Sequence, residues 1–140
     1  PIPVYGKGEN IRDWLYVDDH ARALLAAVEK GRPGRTYCLG GDNERRNIDL
    51  VRALCALLDE FRPRADGKPH DSAITYVTDR PGHDLRYAID ARRARAELGW
   101  APQEDFQSGF RKTVRWYLDH PAWTQAILDG SYRLERQGKL

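Results

Sequence analysis

The chain has 140 residues, the size of one ordinary domain and enough to bury a hydrophobic core. Hydrophobic residues make up 41% and charged residues 31%, which is typical of a folded globular protein and excludes a disordered one. With 23 basic and 21 acidic residues the net charge is +2, too balanced to indicate nucleic-acid binding, and no apolar run is long enough for a membrane span.

The first third of the chain alternates short strands with a helix. An edge strand is predicted over residues 2–5, because prolines cannot donate to a central ladder. After a glycine turn at residues 6–10, residues 14–17 are strand-like and lead to Asp18 and Asp19, good helix caps. A third strand is expected over residues 35–39. The helix between them is expected to bury a stripe at helical spacing: Ala21, Leu24, Leu25 and Val28.

The rest of the chain continues in the same style. Asn47 is predicted to cap a helix that runs to about Phe61, followed by a strand over residues 74–77. A short helix is expected from Asp90 to Leu98, and a longer one after the cap Asp105, with another turn or two beyond Pro121. Helices that alternate with short strands predict an α/β fold.

The cysteines and most histidines indicate no metal site. Cys38 and Cys55 stand in no metal-ligand spacing, so both are interpreted as buried reduced thiols, which fits a reducing cytoplasm. Three histidines at solvated positions need no function: His20, His70 and His120.

The most informative stretch is the run Asp79-Arg80-Pro81-Gly82-His83, which follows a predicted strand. A guanidinium group offers a planar fork of donors that matches phosphate oxygens, and a Pro-Gly turn exposes backbone amides. These features predict a site for a diphosphate. The alternative is a polar turn with a surface ion pair.

Three other places concentrate groups for an anionic or heterocyclic ligand. Tyr5 and Arg12 flank the glycine turn, although Tyr5 could equally be a half-buried strand residue and Arg12 a partner of Asp13. Asn47 needs no ligand as a helix cap, but helix N-termini also attract anions. Tyr132 is a lone aromatic residue in a polar tail, where disorder is the ordinary expectation.

Several catalytic and cofactor motifs are absent from the sequence. Residues 6–11 begin like a dinucleotide fingerprint but lack its third glycine and follow no long strand. No tyrosine has a lysine four positions later, and no catalytic serine triad, zinc spacing or Walker loop occurs. The residues alone therefore predict binding of a phosphorylated small molecule, with no catalytic, cofactor-binding or metal-binding residues.

Three blocks carry a family resemblance. Residues 3–24 (PVYGKGENIRDWLYVDDHARAL), 79–90 (DRPGHDLRYAID) and 111–118 (RKTVRWYL) resemble, in the same order, the C-terminal part of dTDP-glucose 4,6-dehydratases. Related UDP-sugar epimerases and decarboxylases share the Arg-Asp-aromatic-x-Tyr-Val-Asp-Asp element of the first block but not the second block. The absence of Met and a start within an extended element also suggest a C-terminal piece of a longer protein.

The resemblance implies a Rossmann-type extended short-chain dehydrogenase with a small mixed α/β substrate-binding domain. Residues 13–40 would be the last Rossmann elements, residues 1–12 and 41–130 the substrate-binding domain, and residues 131–140 a tail. NAD would be bound by an N-terminal part that this chain lacks. The full enzyme, a lyase expected to be a cytoplasmic homodimer, would convert dTDP-glucose to dTDP-4-keto-6-deoxyglucose with loss of water, while this chain alone would be inactive.

The resemblance also assigns substrate-binding residues. Arg12 would hold the nucleotide's phosphates, Asn47 would contact the substrate, and Arg80 and His83 would be direct ligands within the closing loop. The substrate-binding set is Pro3, Val4, Tyr5, Arg12, Asn47, Asp79, Arg80, Pro81, Gly82, His83 and Tyr132. The alternatives are another nucleotide-sugar epimerase or decarboxylase, a non-catalytic nucleotide-binding or assembly module, and a piece without independent function that exposes an apolar face.

Overall fold

A computed structural model describes residues 1–131. In chain order its elements are β1 (Ile2–Tyr5), β2 (Ile11–Asp13), α1 (Val17–Lys30), β3 (Glu44–Arg46), α2 (Asn47–Phe61), a 3-10 turn (His70–Ala73), β4 (Ile74–Val77), α3 (Arg92–Leu98), α4 (Phe106–Asp119) and α5 (Pro121–Leu128). Within this described part, no helix is long and apolar enough to cross a membrane.

Two small sheets bring distant parts of the chain together. Strand β1 pairs in parallel with β4, with Tyr5 opposite Val77, and β2 pairs antiparallel with β3. The predicted strands at residues 2–5 and 74–77 are thus confirmed. Because parallel strands end at the same edge of a sheet, the turn after β1 and the loop after β4 lie side by side. A further bridge between Ile11 and Arg86 joins β2 to the chain beyond that loop.

The hydrophobic core lies where α1 packs on α3. It is built from small residues and two large ones: Ala23, Ala91, Ala94, Leu98 and Trp100. Asp19 in the first turn of α1 is fully buried, and its carboxylate accepts hydrogen bonds from the backbone N–H groups of Gln103 (2.8 Å) and Glu104 (3.0 Å). The Trp100 indole N–H donates to the carbonyl oxygen of Asp19 at 3.1 Å. These bonds fix the chain after α3 against the start of α1.

The apolar stripe expected to be buried along α1 is instead exposed. Leu24 and Leu25 are both more than half exposed, and Val28 is 84% exposed. The face that packs on α3 carries Ala23, because small side chains let the two helices approach closely. Nor do the aspartates cap α1: the N-cap residue is Tyr16, and Asp18 and Asp19 lie in the first turn. In the described part of the chain the leucine-rich face of α1 is therefore without a covering element.

Both expected strands that flank α1 are wrong. Residues 35–39 form no strand, because no strand of residues 1–131 pairs with them. Residues 14–16 are irregular and Val17 starts the helix, while the strand lies earlier, at β2. Cys38 is exposed, against the expectation of burial, whereas Cys55 on α2 is buried as predicted.

The later helices agree better with the sequence. Asp105 caps α4 as predicted: its carboxylate accepts from the Ser108 backbone N–H at 2.8 Å, and the Ser108 hydroxyl accepts from the Asp105 N–H at 3.1 Å. This reciprocal pair is a capping box. The chain also forms the additional helix expected after Pro121, here α5. Tyr117 on α4 is half exposed.

Candidate functional site

The glycine turn after β1 is closely packed against the start of α2. The Ile48 N–H donates to the carbonyl oxygen of Gly8 at 3.0 Å. Gly8 has φ of +70°, and a Cβ atom there would lie 2.8 Å from Ile48 Cβ and 2.9 Å from a Val4 methyl group. Only glycine fits this position. Pro3 and Val4 lie within β1, and Tyr5 at its end is half exposed beside the turn.

Arg12 on β2 reaches the loop that follows β4. Its guanidinium donates to the carbonyl oxygen of Asp84 at 3.1 Å and to that of Ile11 at 2.7 Å, and it lies 4.3 Å from the ring centre of Tyr87. The Asn10 amide donates to the same Asp84 oxygen at 3.2 Å. Two carbonyls and an aromatic face therefore hold a cation whose remaining N–H groups can serve a ligand.

The loop at residues 79–83 is ordered by its own side chains. The Asp79 carboxylate lies 2.7 Å from Nδ1 of His83 and accepts from the Arg80 backbone N–H at 2.8 Å. Tyr5 and His83 form an edge-to-face pair with ring centres 6.3 Å apart. Arg80, Pro81 and Gly82 are exposed at the tip, and the Arg80 guanidinium bonds to no residue of 1–131.

Asn47 joins this group through the backbone. Its N–H donates to the Asn10 carbonyl oxygen at 2.9 Å, so the first turn of α2 lies beside Asn10, whose side chain contacts the loop. The prediction that Asn47 caps α2 is wrong by one residue, since Arg46 is at the N-cap position and makes no side-chain capping bond. Asn47 is the first helical residue.

Local charges keep the acidic groups ionised. Hydrogen bonding from His83, more than the opposing effect of desolvation, holds the pKa of Asp79 below its usual value. The Arg86 guanidinium forms a two-point ion pair with Glu44 at 2.6 and 2.7 Å and lowers the pKa of that carboxyl. Tyr87 donates to the Asp84 carboxylate, which raises the pKa of the phenol. The acids are engaged by neighbours, whereas Arg12 and Arg80 keep free donors, so the arrangement suits an anionic ligand.

The structure therefore brings most of the predicted residues together. Tyr5, Arg12, Asn47 and the loop at residues 79–83 are linked by direct contacts or through Asn10 and Asp84. Tyr132 lies outside the described residues. Within the described part, no cluster of three or more His, Cys, Asp or Glu side chains could hold a metal ion.

Sequence reasoning missed three members of this network. The Arg12 guanidinium lies over the ring of Tyr87. The Asp84 carbonyl oxygen accepts from both Asn10 and Arg12 and so connects the loop after β4 to the start of the chain. Tyr87 lies inside a block that the resemblance had already singled out, so that signal was present. The Asp84 contact is made by a backbone oxygen, so the residue type at this position could not have predicted it.

A cavity of about 660 Å³ lies elsewhere, between the start of α1 and helices α4 and α5. Aromatic side chains dominate its wall, among them Trp14, Tyr16, Phe106, Phe110, Trp116 and Trp123. Of the predicted substrate-binding residues within 1–131, none lines it. The group around Arg12 is thus an open surface and not part of this cavity.

Comparison with known proteins agrees with the family resemblance of the three sequence blocks. A family model described as GDP-mannose 4,6 dehydratase matches residues 1–113. The dTDP-glucose 4,6-dehydratase of Xanthomonas campestris pv. campestris is 59% identical over 138 residues, which cover 99% of this chain but only 39% of that protein. The resemblance to dTDP-glucose 4,6-dehydratases is confirmed, and the chain spans less than half the length of this relative.

Two solved structures share the fold. The dTDP-glucose 4,6-dehydratase of Bacillus anthracis in complex with NAD is 42% identical, with a TM-score of 0.74 over 86% of this chain and 35% of that one. DesIV, a dTDP-glucose 4,6-dehydratase of Streptomyces venezuelae with NAD and TYD bound, is 38% identical, with a TM-score of 0.76 at the same coverage. The expected α/β class, part of a Rossmann-type extended short-chain dehydrogenase, is confirmed. Since the family model matches most of its length, this chain belongs to the GDP-mannose 4,6 dehydratase family.

Proposed function

We propose that this chain is the substrate-binding portion of a dTDP-glucose 4,6-dehydratase and holds the nucleotide diphosphate of a dTDP-sugar. The observation that carries the proposal is the contact of Arg12 with the Asp84 carbonyl oxygen at 3.1 Å, because it joins segments 72 positions apart. That contact places a guanidinium group beside the loop that contains Arg80 and His83. The 59% identity to a dTDP-glucose 4,6-dehydratase supports the same substrate.

Each predicted residue has a role in this proposal. Arg12, Arg80 and His83 donate to the diphosphate, and Asn47 contacts the substrate at the N-terminus of α2. Two carbonyls occupy two N–H groups of Arg12, so three of its five remain for phosphate oxygens. The nucleotide would lie along Pro3, Val4 and Tyr5, with the loop Asp79, Pro81 and Gly82 closing over it. Tyr132 keeps its predicted contact as a hypothesis.

The same proposal divides the work of the enzyme between two parts. When bound, NAD supplies oxidation of the sugar at C4 and later returns the hydride to C6. The glycine turn of this chain leads from β1 into β2, not into a helix, so it does not fit the pyrophosphate of a dinucleotide. We assign NAD and the catalytic residues to the remainder of a longer, cytoplasmic, homodimeric enzyme. In that enzyme residues 13–40 would belong to the Rossmann domain, and the exposed face of α1 would pack on it.

Nucleotide titration of the full 140-residue chain tests the binding role. Isothermal calorimetry should detect dTDP and dTDP-glucose, with GDP at least tenfold weaker. If another nucleoside diphosphate binds more tightly than dTDP, a different nucleotide-sugar epimerase or decarboxylase becomes the better assignment. Absence of binding to every nucleoside diphosphate would refute the proposed role.

Arg12→Ala tests the phosphate contact directly. Loss of a charge-assisted contact worth roughly 1.5–3 kcal/mol should weaken dTDP affinity about tenfold or more. Arg52→Ala is the matched control, because Arg52 is an exposed arginine on α2 outside the network. Equal affinities of the two variants would remove Arg12 from the diphosphate site.

A product assay tests the division of labour. Incubated with NAD and dTDP-glucose, the chain alone should form no 4-keto sugar, whereas binding persists. Formation of 4-keto product would show that the catalytic residues lie within these 140 residues. A chain that binds nucleotide and still assembles no active enzyme with any N-terminal partner would favour a non-catalytic nucleotide-binding module.

A further inference from the structure

His83 is held in the loop by one side of its ring. Its side chain is only 8% exposed, and Nδ1 lies 2.7 Å from Oδ1 of Asp79. The Tyr5 ring meets the imidazole edge to face, with centres 6.3 Å apart. No residue of 1–131 forms a hydrogen bond with the other ring nitrogen, Nε2. Within the described residues, Nδ1 of the ring has a hydrogen-bond partner and Nε2 has none.

The ionisation state of Asp79 decides where the ring carries its hydrogen. Hydrogen bonding from His83 and from the Arg80 N–H, together with the positive charges nearby, holds the pKa of Asp79 below its usual value despite desolvation. The carboxylate is then ionised near neutral pH and can only accept. A hydrogen bond to it requires a hydrogen on Nδ1, so the atom left for a ligand is Nε2.

The turn after β1 leaves just enough room for the Asp79 carboxylate. Gly6 has φ of +53°, and its N–H donates to the Val77 carbonyl oxygen at 2.9 Å. A Cβ atom at Gly6 would lie 3.2 Å from Oδ2 of Asp79. The glycine therefore lets the second carboxylate oxygen sit against the backbone while the first holds His83.

We propose that Asp79 is a positioning residue that does not touch the nucleotide: it orients His83 so that Nε2 faces the diphosphate. This rests on the proposed function above and gives Asp79, one of the predicted substrate-binding residues, the role of supporting the ligand His83. Nε2 donates to a phosphate oxygen only when the ring carries both hydrogens. The diphosphate would therefore bind on the Nε2 side of the ring, while Asp79 holds the Nδ1 side and Tyr5 packs edge to face against the imidazole.

Calorimetric titration with dTDP-glucose tests the positioning role. His83→Gln should weaken the affinity of the chain several-fold. At pH 6, Asp79→Asn should weaken binding about tenfold, whereas Asp71→Asn, the same change on an exposed acid outside the loop, should leave it unchanged.

A double-mutant cycle separates positioning from a general structural effect. In the His83→Gln background, Asp79→Asn should cost less than twofold, because no imidazole remains to be oriented. An equal loss in both backgrounds would mean that Asp79 acts through the fold or on the ligand itself, and would overturn the proposal.

A measurement on the unmutated chain needs no variant to fold. In ¹⁵N spectra of labelled histidine, with His83 assigned by His83→Gln, neutral His83 should carry its hydrogen on Nδ1. A hydrogen on Nε2 with bare Nδ1 would refute the inference. The proposed function and the role of Asp79 fail on different results. If the wild type does not bind dTDP-glucose, the proposed function is wrong. If Arg12→Ala weakens binding but Asp79→Asn does not, only the role of Asp79 is wrong.

Discussion

Replacing Asp19 by asparagine should destabilise the fold strongly, although the two side chains have nearly the same shape. The wild-type carboxylate has 0% exposure and accepts from two backbone N–H groups, at 2.8 and 3.0 Å, and from Arg22. Asparagine keeps the shape but has one acceptor oxygen, so one N–H donor would face an amide N–H₂. A buried donor without a partner costs about 1–3 kcal/mol, and loss of the charge weakens the bonds that remain. We expect a decrease of about 3 kcal/mol in the free energy of unfolding.

The pH dependence of stability checks the same residue independently. Burial raises the pKa of Asp19, but the N–H groups of Gln103 and Glu104 and the Arg22 guanidinium outweigh it, so the pKa lies below the usual value. A depressed folded-state pKa gives stability that is fully present above the unfolded value, near 3.9, and is lost as the pH falls towards the folded value. The wild-type chain should therefore lose stability in acid more steeply than Asp19→Asn.

Urea unfolding followed by circular dichroism measures both effects. Asp18→Asn is the matched control, since Asp18 is exposed in the same first turn and shares its helix dipole. The control should change the free energy of unfolding by less than about 1 kcal/mol. If Asp19→Asn unfolds like Asp18→Asn, or shows the same loss in acid as the wild type, the clamp between α1 and residues 103–104 does not contribute as reasoned.

Three other substitutions test separate features. Gly8→Ala should lower the free energy of unfolding by about 2–3 kcal/mol, because its Cβ would lie 2.8 Å from Ile48 Cβ. Gly34 is the control, since it has φ of +78° but open space around it, and Gly34→Ala should lower the free energy of unfolding by only about 1 kcal/mol. Equal losses in thermal melts of the two variants would refute the packing argument. Tyr87→Ala should weaken dTDP binding about threefold by releasing Arg12, while Tyr87→Phe keeps the ring and the affinity; calorimetry would contradict this if Tyr87→Phe were as weak as Tyr87→Ala. Leu25→Lys should reduce self-association in sedimentation without lowering the melting temperature, because the face is exposed in the chain alone; a large loss of stability would show that Leu25 is buried.

Local patterns in the sequence were enough for the elements that depend on local physics. Prolines mark Ile2–Tyr5 as an edge strand, and Asp105 followed by Ser108 makes its own capping box. The motif blocks around Arg12 and residues 79–90 likewise identify the family, since their residue types and order survive without any coordinates. The prediction of burial along α1 fails. Leu24 and Val28 have helical spacing, but spacing does not determine which face of a helix packs against another element.

The candidate site depends on pairings that span most of the chain. Strand β1 meets β4, 72 positions away, and this alone brings the glycine turn beside the loop of Asp79 and His83. Arg12 is then held by a backbone oxygen of Asp84 and the face of Tyr87, and Asp19 by backbone N–H groups 84 and 85 positions later. Backbone groups are the same at every position, so no residue type foretells which carbonyl or amide a side chain will meet. Those contacts exist only once the chain has closed on itself.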